Sequence, residues 1–239
     1  MFNETLTYSA DGLNFKSQFY VPDGARNRAA VLVFPEAFGL SENAITRAKR
    51  LAEMGFAALA CDLHGDAKRE EDLQKAVVLL QPMFDDPTKT RARASAALAA
   101  LSARPEVDAS RIASIGYSFG GLMSLELARM GAAIKAVVGF HSGLDTKMPA
   151  PADSKPKPRI LVCIGAADPM IPPEQRAAFE AEMNAAQADW QMHIYGNVVH
   201  SFTSHDAAKR NLPDAIRYDE KADAMSWAAL TQLFNEALA

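Results

Sequence analysis

Arg111-Ile112-Ala113-Ser114-Ile115 runs directly into Gly116-Tyr117-Ser118-Phe119-Gly120-Gly121 and on into Leu122-Met123-Ser124-Leu125-Glu126-Leu127, an order that reads as strand, sharp turn and helix. Gly116 and Gly120 flank Ser118 at the spacing of a nucleophile elbow, a turn so tight that a Cβ at either flanking position would clash. Gly121 adds a third small residue where the new helix must approach the sheet. The same turn leaves the Phe119 N–H at the start of the helix, where the helix dipole favours a developing negative charge. Glycines around a serine also occur in ordinary turns, so the motif draws its meaning from the rest of the chain.

Working outward, the elbow sits inside alternating strands and helices. Residues 4 to 21 alternate in character around Ala10-Asp11-Gly12 and read as an antiparallel hairpin at a sheet edge. Ala29 to Phe34, Phe56 to Cys61, Ile134 to Phe140, Arg159 to Gly165 and Trp190 to Tyr195 read as further strands, the most apolar of them as strands covered on both faces. Helices are expected from Ser41 or Glu42 to Met54, Asp72 to Met83, Pro87 to Ala103, Pro172 to Ala186 and Asp219 to Leu238. Such alternation implies an α/β fold, with a mostly parallel central sheet and helices on both faces. In sheets of this kind, sites form at the carboxyl ends of the strands.

Length and composition bound the rest. With 239 residues, 49% of them apolar and 23% charged, one globular domain over residues 1–239 fits better than two small ones. The formal net charge is −4 and acids and bases are interleaved, so no basic patch for nucleic acid or anionic lipid is expected. No apolar stretch has the length of a membrane span, and the expected location is the cytoplasm. Cys61 and Cys163 lie within apolar strands and read as free core thiols. No Cys/His zinc spacing occurs, and neither a metal nor an organic cofactor is expected.

A serine hydroxyl needs a base, and the base needs an acid to fix its tautomer. Asp168 follows the strand ending at Gly165, in Ala166-Ala167-Asp168-Pro169, and His200 follows the strand ending at Tyr195. The chain order Ser118, Asp168, His200 is the one an elbow fold requires. An Asp-Pro pair also initiates turns. His205 is the rival base, while His64 comes too early in the chain and His193 lies mid-strand; order and position favour His200. The second oxyanion N–H is assigned to Ala37, in the loop Pro35-Glu36-Ala37-Phe38-Gly39. Glu36 beside that site either turns away, bonds to the nucleophile or is a solvated loop acid. Phe38, Tyr117 and His141 are further pocket candidates, His141 with the alternative of a satisfied strand-end histidine.

Together, Pro35-Glu36-Ala37-Phe38-Gly39, Gly116-Tyr117-Ser118-Phe119-Gly120-Gly121, Asp168 and His200-Ser201-Phe202 resemble the dienelactone hydrolase family of α/β-hydrolases, over about residues 15 to 236. The resemblance implies an α/β-hydrolase fold without a separate lid domain, with Ser118 as nucleophile, Asp168 as acid, His200 as base and Glu36 close to the nucleophile. Two features depart from the family's namesakes. They use cysteine where this chain has Ser118, and they place an arginine where this chain has Ser204 to hold a substrate carboxylate. The expected activity is hydrolysis of small carboxylic esters or lactones through an acyl-enzyme. The alternatives are acyl transfer or peptide cleavage on the same triad, a dienelactone hydrolase proper acting on a carboxylated lactone, or a binding module on the same fold.

Overall fold

The computed structural model describes residues 1–239. The strands are β1 (Phe2–Ala10), β2 (Leu13–Val21), β3 (Arg28–Phe34), β4 (Ala57–Ala60), β5 (Val107–Tyr117), β6 (Ala136–Phe140), β7 (Arg159–Gly165) and β8 (Trp190–Tyr195). The helices are α1 (Glu42–Glu53), α2 (Leu73–Asp85), α3 (Pro87–Ser102), α4 (Phe119–Arg129), α5 (Pro173–Ala185) and α6 (Glu220–Ala237). All eight strands join one sheet in the order β1-β2-β4-β3-β5-β6-β7-β8. The β1–β2 and β2–β4 pairs are antiparallel, and every pair from β4 to β8 is parallel.

Local chemistry sets the element ends. Asp11 and Gly12 both take positive φ, at 50° and 72°, giving the two-residue turn that the hairpin register of Ala10 opposite Leu13 requires. Asp11 also accepts from Lys89 and Arg93 of α3, which ties the hairpin to the body of the sheet. Ser41, Asp72, Asp86 and Asp219 cap the starts of α1, α2, α3 and α6, each side chain accepting a backbone N–H of the first turn.

Period two explains why the strands read as continuous apolar runs. In β3, Ala30, Leu32 and Phe34 enter one core with α3, α4 and α5, while Val31 and Val33 enter the other with α1 and α6. Both layers are substantial, with 36 buried residues in the first cluster and 28 in the second. Burying the strands on both faces leaves their carboxyl ends as the free edge, and the loops there carry the chemistry. Sequence patterning places β5 from Arg111, but the strand begins at Val107; the polar stretch Asp108 to Arg111 carries no apolar period to mark it. His205–Arg210 forms a short 3-10 turn that the periodicity does not reveal.

Candidate active site

Ser118 is the hinge between β5 and α4, with φ 52° and ψ −117°. This is a costly conformation for a residue with a side chain, on the order of 1–3 kcal/mol, and it persists only where the surroundings enforce it. Here they do: the Ser118 N–H donates to the Phe140 carbonyl at 3.0 Å, and its own carbonyl accepts from Gly121 N at 3.0 Å. The flanking glycines have no alternative. A Cβ on Gly116 would sit 2.0 Å from the Gly120 carbonyl oxygen, and one on Gly120 would sit 2.3 Å from that of Phe34.

The loops after β7 and β8 bring the remaining two groups to Ser118. The Ala167 N–H donates to the Val198 carbonyl at 3.0 Å, stitching one loop to the other. A Cβ on Gly165 would meet that same carbonyl oxygen at 2.2 Å, which explains the glycine at this crossing. His200 is further held by its backbone, donating to Ala215 at 3.0 Å and accepting from Arg217 at 3.1 Å. The result is a linear relay. Ser118 Oγ donates to His200 Nε2 at 2.9 Å, and His200 Nδ1 donates to Asp168 Oδ2 at 2.7 Å. Asp168 Oδ1 accepts from the Met170 N–H at 2.8 Å, which fixes the carboxylate plane.

Ala37 and Phe119 both face the cleft that contains Ser118 and His200. The Ala37 N–H makes no hydrogen bond within the protein. Phe119 opens α4, so its N–H has no helical partner four residues back. The cleft encloses about 390 Å³, and eleven of its eighteen lining residues are hydrophobic. Leu73, Val77, Leu80 and Phe84 of α2 form one wall, and Met170 and Ile171 another.

Of the remaining pocket candidates, Phe38 and Glu36 line the cleft, and the Glu36 carboxylate is held in place by hydrogen bonds. Its oxygens accept from Ser41 Oγ at 3.0 Å and Asn43 Nδ2 at 2.7 Å, at the start of α1. Tyr117 and His141 do not line the cleft: this corrects the expectation for Tyr117, and for His141 it matches the alternative of a strand-end histidine outside the pocket. Tyr117 is fully buried beneath the sheet edge, its ring stacked 4.9 Å from Phe140, and burial raises its phenol pKa. His141 is also fully buried, its Nε2 hydrogen-bonded to Thr203 Oγ1 at 2.9 Å. Burial first, then the neighbouring His200 and Arg47, hold its pKa well below the usual histidine value. The rival His205 packs 4.2 Å from the Tyr218 ring, outside the cleft.

Two supporting groups escape the sequence reading. His64, dismissed there on chain order, donates from Nε2 to the Ala37 carbonyl at 2.7 Å. Its loop is organised by Asp62, which accepts the N–H groups of His64, Gly65 and Ala67. Its place directly after a strand at the carboxyl edge is the signal that could have found it. Arg47 of α1 pairs with buried Asp223 of α6 at 2.8 Å and donates to the Thr203 carbonyl at 2.7 Å, bracing the residue that holds His141. Nothing in the sequence marks that pair, since the two residues are far apart in the chain.

A parallel sheet flanked by helices on both faces, with a serine on a strained strand-to-helix turn and a histidine and an aspartate on later loops, defines the α/β-hydrolases. The dienelactone hydrolase family model matches residues 15–238, and the chain belongs to that family. It is a hydrolase acting on esters or lactones. The structure is similar over 100% of this chain and 99% of the other to a dienelactone hydrolase-like promiscuous phosphotriesterase from metagenomic libraries, with TM-score 0.93 and 40% identity. A "Probable 2-oxo-3-(5-oxofuran-2-ylidene)propanoate lactonase" from Bradyrhizobium sp is 32% identical over 189 residues, 74% of each chain. An uncharacterised Caenorhabditis elegans protein, K02A2.1, is 34% identical over 152 residues, 63% of this chain and 96% of that one. No helix is long and apolar enough to cross a membrane.

Proposed function

We propose that residues 1–239 act as a single-domain serine esterase or lactonase working through an acyl-enzyme. Ser118 Oγ attacks the substrate carbonyl carbon while His200 Nε2 takes its proton, and Asp168 holds the His200 ring and stabilises the imidazolium. The Ala37 and Phe119 N–H groups receive the oxyanion. Collapse of the tetrahedral intermediate breaks the bond to the leaving alkoxide, which takes the proton from His200. In a lactone, the freed hydroxyl stays on the acyl group. Water then gives its proton to His200 and attacks the acyl carbon; the Ser118 ester breaks, Ser118 regains its proton and the acid departs. The observation that carries this reading is the relay of 2.9 Å from Ser118 to His200 and 2.7 Å from His200 to Asp168.

The partner is a small molecule, in keeping with a cleft of about 390 Å³. Cys61 and Cys163, both free and buried, suit a reducing compartment such as the cytoplasm. The likeness to the metagenomic phosphotriesterase favours a second reaction on the same residues, attack of Ser118 on the phosphorus of a neutral phosphotriester with loss of its best leaving group. A fluorophosphonate probe tests the core reading: wild type is labelled at Ser118 and loses para-nitrophenyl ester hydrolysis in step, and Ser118→Ala shows neither labelling nor turnover. Turnover of Ser118→Ala close to wild type would refute it.

A further inference from the structure

The charged groups on the walls of the active-site cleft are all acids or the relay histidine: Glu36, Asp145 and His200, with no lysine or arginine among the lining residues. Both carboxylates are fixed. Glu36 is 4% exposed and held by Ser41 and Asn43, and Asp145 accepts from Gln175 Nε2 at 2.8 Å.

The cations that could offset them are engaged elsewhere. Arg210 lays its guanidinium 3.6 Å from the centroid of the Phe38 ring and donates to the Glu71 carbonyl; it lines the adjoining cleft and not this one. Arg217 donates to the Pro213 carbonyl at 2.9 Å. Lys147 donates to the Asp85 carbonyl at 3.2 Å and faces a neighbouring cleft, which shares Phe84, Leu122 and Asp145 with this one but adds no lysine to its lining. Lys68 and Arg69, in the loop after β4, do not reach the lining.

We propose that this pocket selects uncharged esters and lactones and discriminates against substrates bearing a carboxylate, an inference about substrate class that rests on the acyl-enzyme reading above. An anionic substrate would give up hydration to enter a mostly apolar cleft, meet two carboxylates and find no cation. An uncharged acyl chain meets the α2 wall instead and gains from burial.

The test pairs para-nitrophenyl pentanoate with the para-nitrophenyl monoester of glutarate, which replaces the terminal methyl with a carboxylate. In wild type, kcat/KM for the neutral ester exceeds that for the charged one by tenfold or more. Raising the salt concentration narrows the ratio, as a purely steric preference would not allow. Val77→Arg, placing a cation on the half-exposed α2 wall, raises the carboxylated ester at least tenfold relative to the neutral one. The same pair is titrated against Ser118→Ala, where binding is read without turnover, and the neutral ester again binds more tightly. Equal or better handling of the carboxylated ester, in kcat/KM or in this binding, overturns the proposal. Loss of turnover in wild type with the binding preference retained would refute the acyl-enzyme reading and support this one.

Discussion

The ring of His141 stands edge-on to the ring of His200, with centroids 5.0 Å apart and planes inclined by 66°. Behind it, Phe202 packs against His141 at 5.2 Å and Thr203 holds its Nε2, so His200 rests on a buried stack rather than on solvent. Burial first, then the neighbouring His200 and Arg47, hold the pKa of this histidine well below the usual value, and its Nδ1 has no partner within the protein.

This arrangement makes stability depend on pH with a definite sign. The folded state depresses the pKa of His141, so the unfolded chain binds the proton more readily. The stability that His141 contributes is complete above its unfolded value of about 6.5 and is lost as pH falls below it toward the folded value, by up to ~1.4 kcal/mol per pH unit. Its φ of 39° restricts the replacement to residues at ease in the left-handed region. His141→Asn should cost about 1–3 kcal/mol at pH 8 through lost packing. That cost should shrink on acidification, because the variant no longer has a histidine to protonate. Urea unfolding from pH 8 to pH 5 measures it, and a difference independent of pH would contradict the assignment.

His64 is expected to act as a positioning residue for the oxyanion loop, through its hydrogen bond to the Ala37 carbonyl. Removing a donor from an oxyanion hole costs about 10²–10³ in kcat, and loosening one costs less. His64→Ala should therefore lower kcat about tenfold with little change in KM, and His64→Gln, which can still donate from its amide, should recover part of the loss. Steady-state kinetics on a neutral aryl ester decides, and unchanged kcat in His64→Ala would show that the bridge between Gly39 and Arg69 suffices to hold the loop.

Two histidines five positions apart are candidates for the role of base, and they sit in different surroundings. His200 lies 2.9 Å from Ser118 Oγ, whereas His205 stacks on Tyr218. His200→Ala should cost nearly as much activity as Ser118→Ala, because members of a triad act as a unit. His205→Ala should stay within about twofold of wild type, since it removes only a surface contact. Esterase assays of the three variants, with circular dichroism to confirm folding, would reverse the assignment if His205→Ala were the inactive one.

Much of this candidate site could be read from the chain because it is built by order along the sequence: strand, then a candidate catalytic residue, three times over. Ser118, Asp168 and His200 each follow a strand end, and their loops meet because parallel strands finish on one edge. Side-chain direction is what the linear pattern obscures. Tyr117 adjoins Ser118 in sequence, yet strand parity sends it to the same buried face as Ala113 and Ile115, and the sequence carries that parity. For His141 no such signal exists, because the positive φ that turns it beneath His200 is a property of the folded loop. Glu36 depends on its partners Ser41 and Asn43, which the sequence offers as a helix start without saying that they would capture a carboxylate.

Two glycines of the elbow face obstacles of different kinds. A Cβ on Gly120 would lie 2.3 Å and 2.4 Å from the carbonyl oxygens of Phe34 and Pro35, backbone atoms that cannot rotate away and that lead directly into the Ala37 loop. A Cβ on Gly121 would lie 1.9 Å from Ser142 Oγ and 2.8 Å from Ser142 Cβ, both side-chain atoms. Turning that hydroxyl aside would not clear the clash, because the Ser142 Cβ stays 2.8 Å away whatever the rotamer. Each single alanine should destabilise by about 1–3 kcal/mol or more, as overpacking does. Removing the obstacle should separate them: Ser142→Gly should recover most of the stability lost in Gly121→Ala and none of that lost in Gly120→Ala. The coupling between residues 121 and 142 then reads at least ~1 kcal/mol in a double-mutant cycle, against nearly zero between 120 and 142. Urea midpoints of the five variants measure both couplings, and equal rescue of the two alanines would mean that the elbow relaxes as a whole instead of meeting two separate walls.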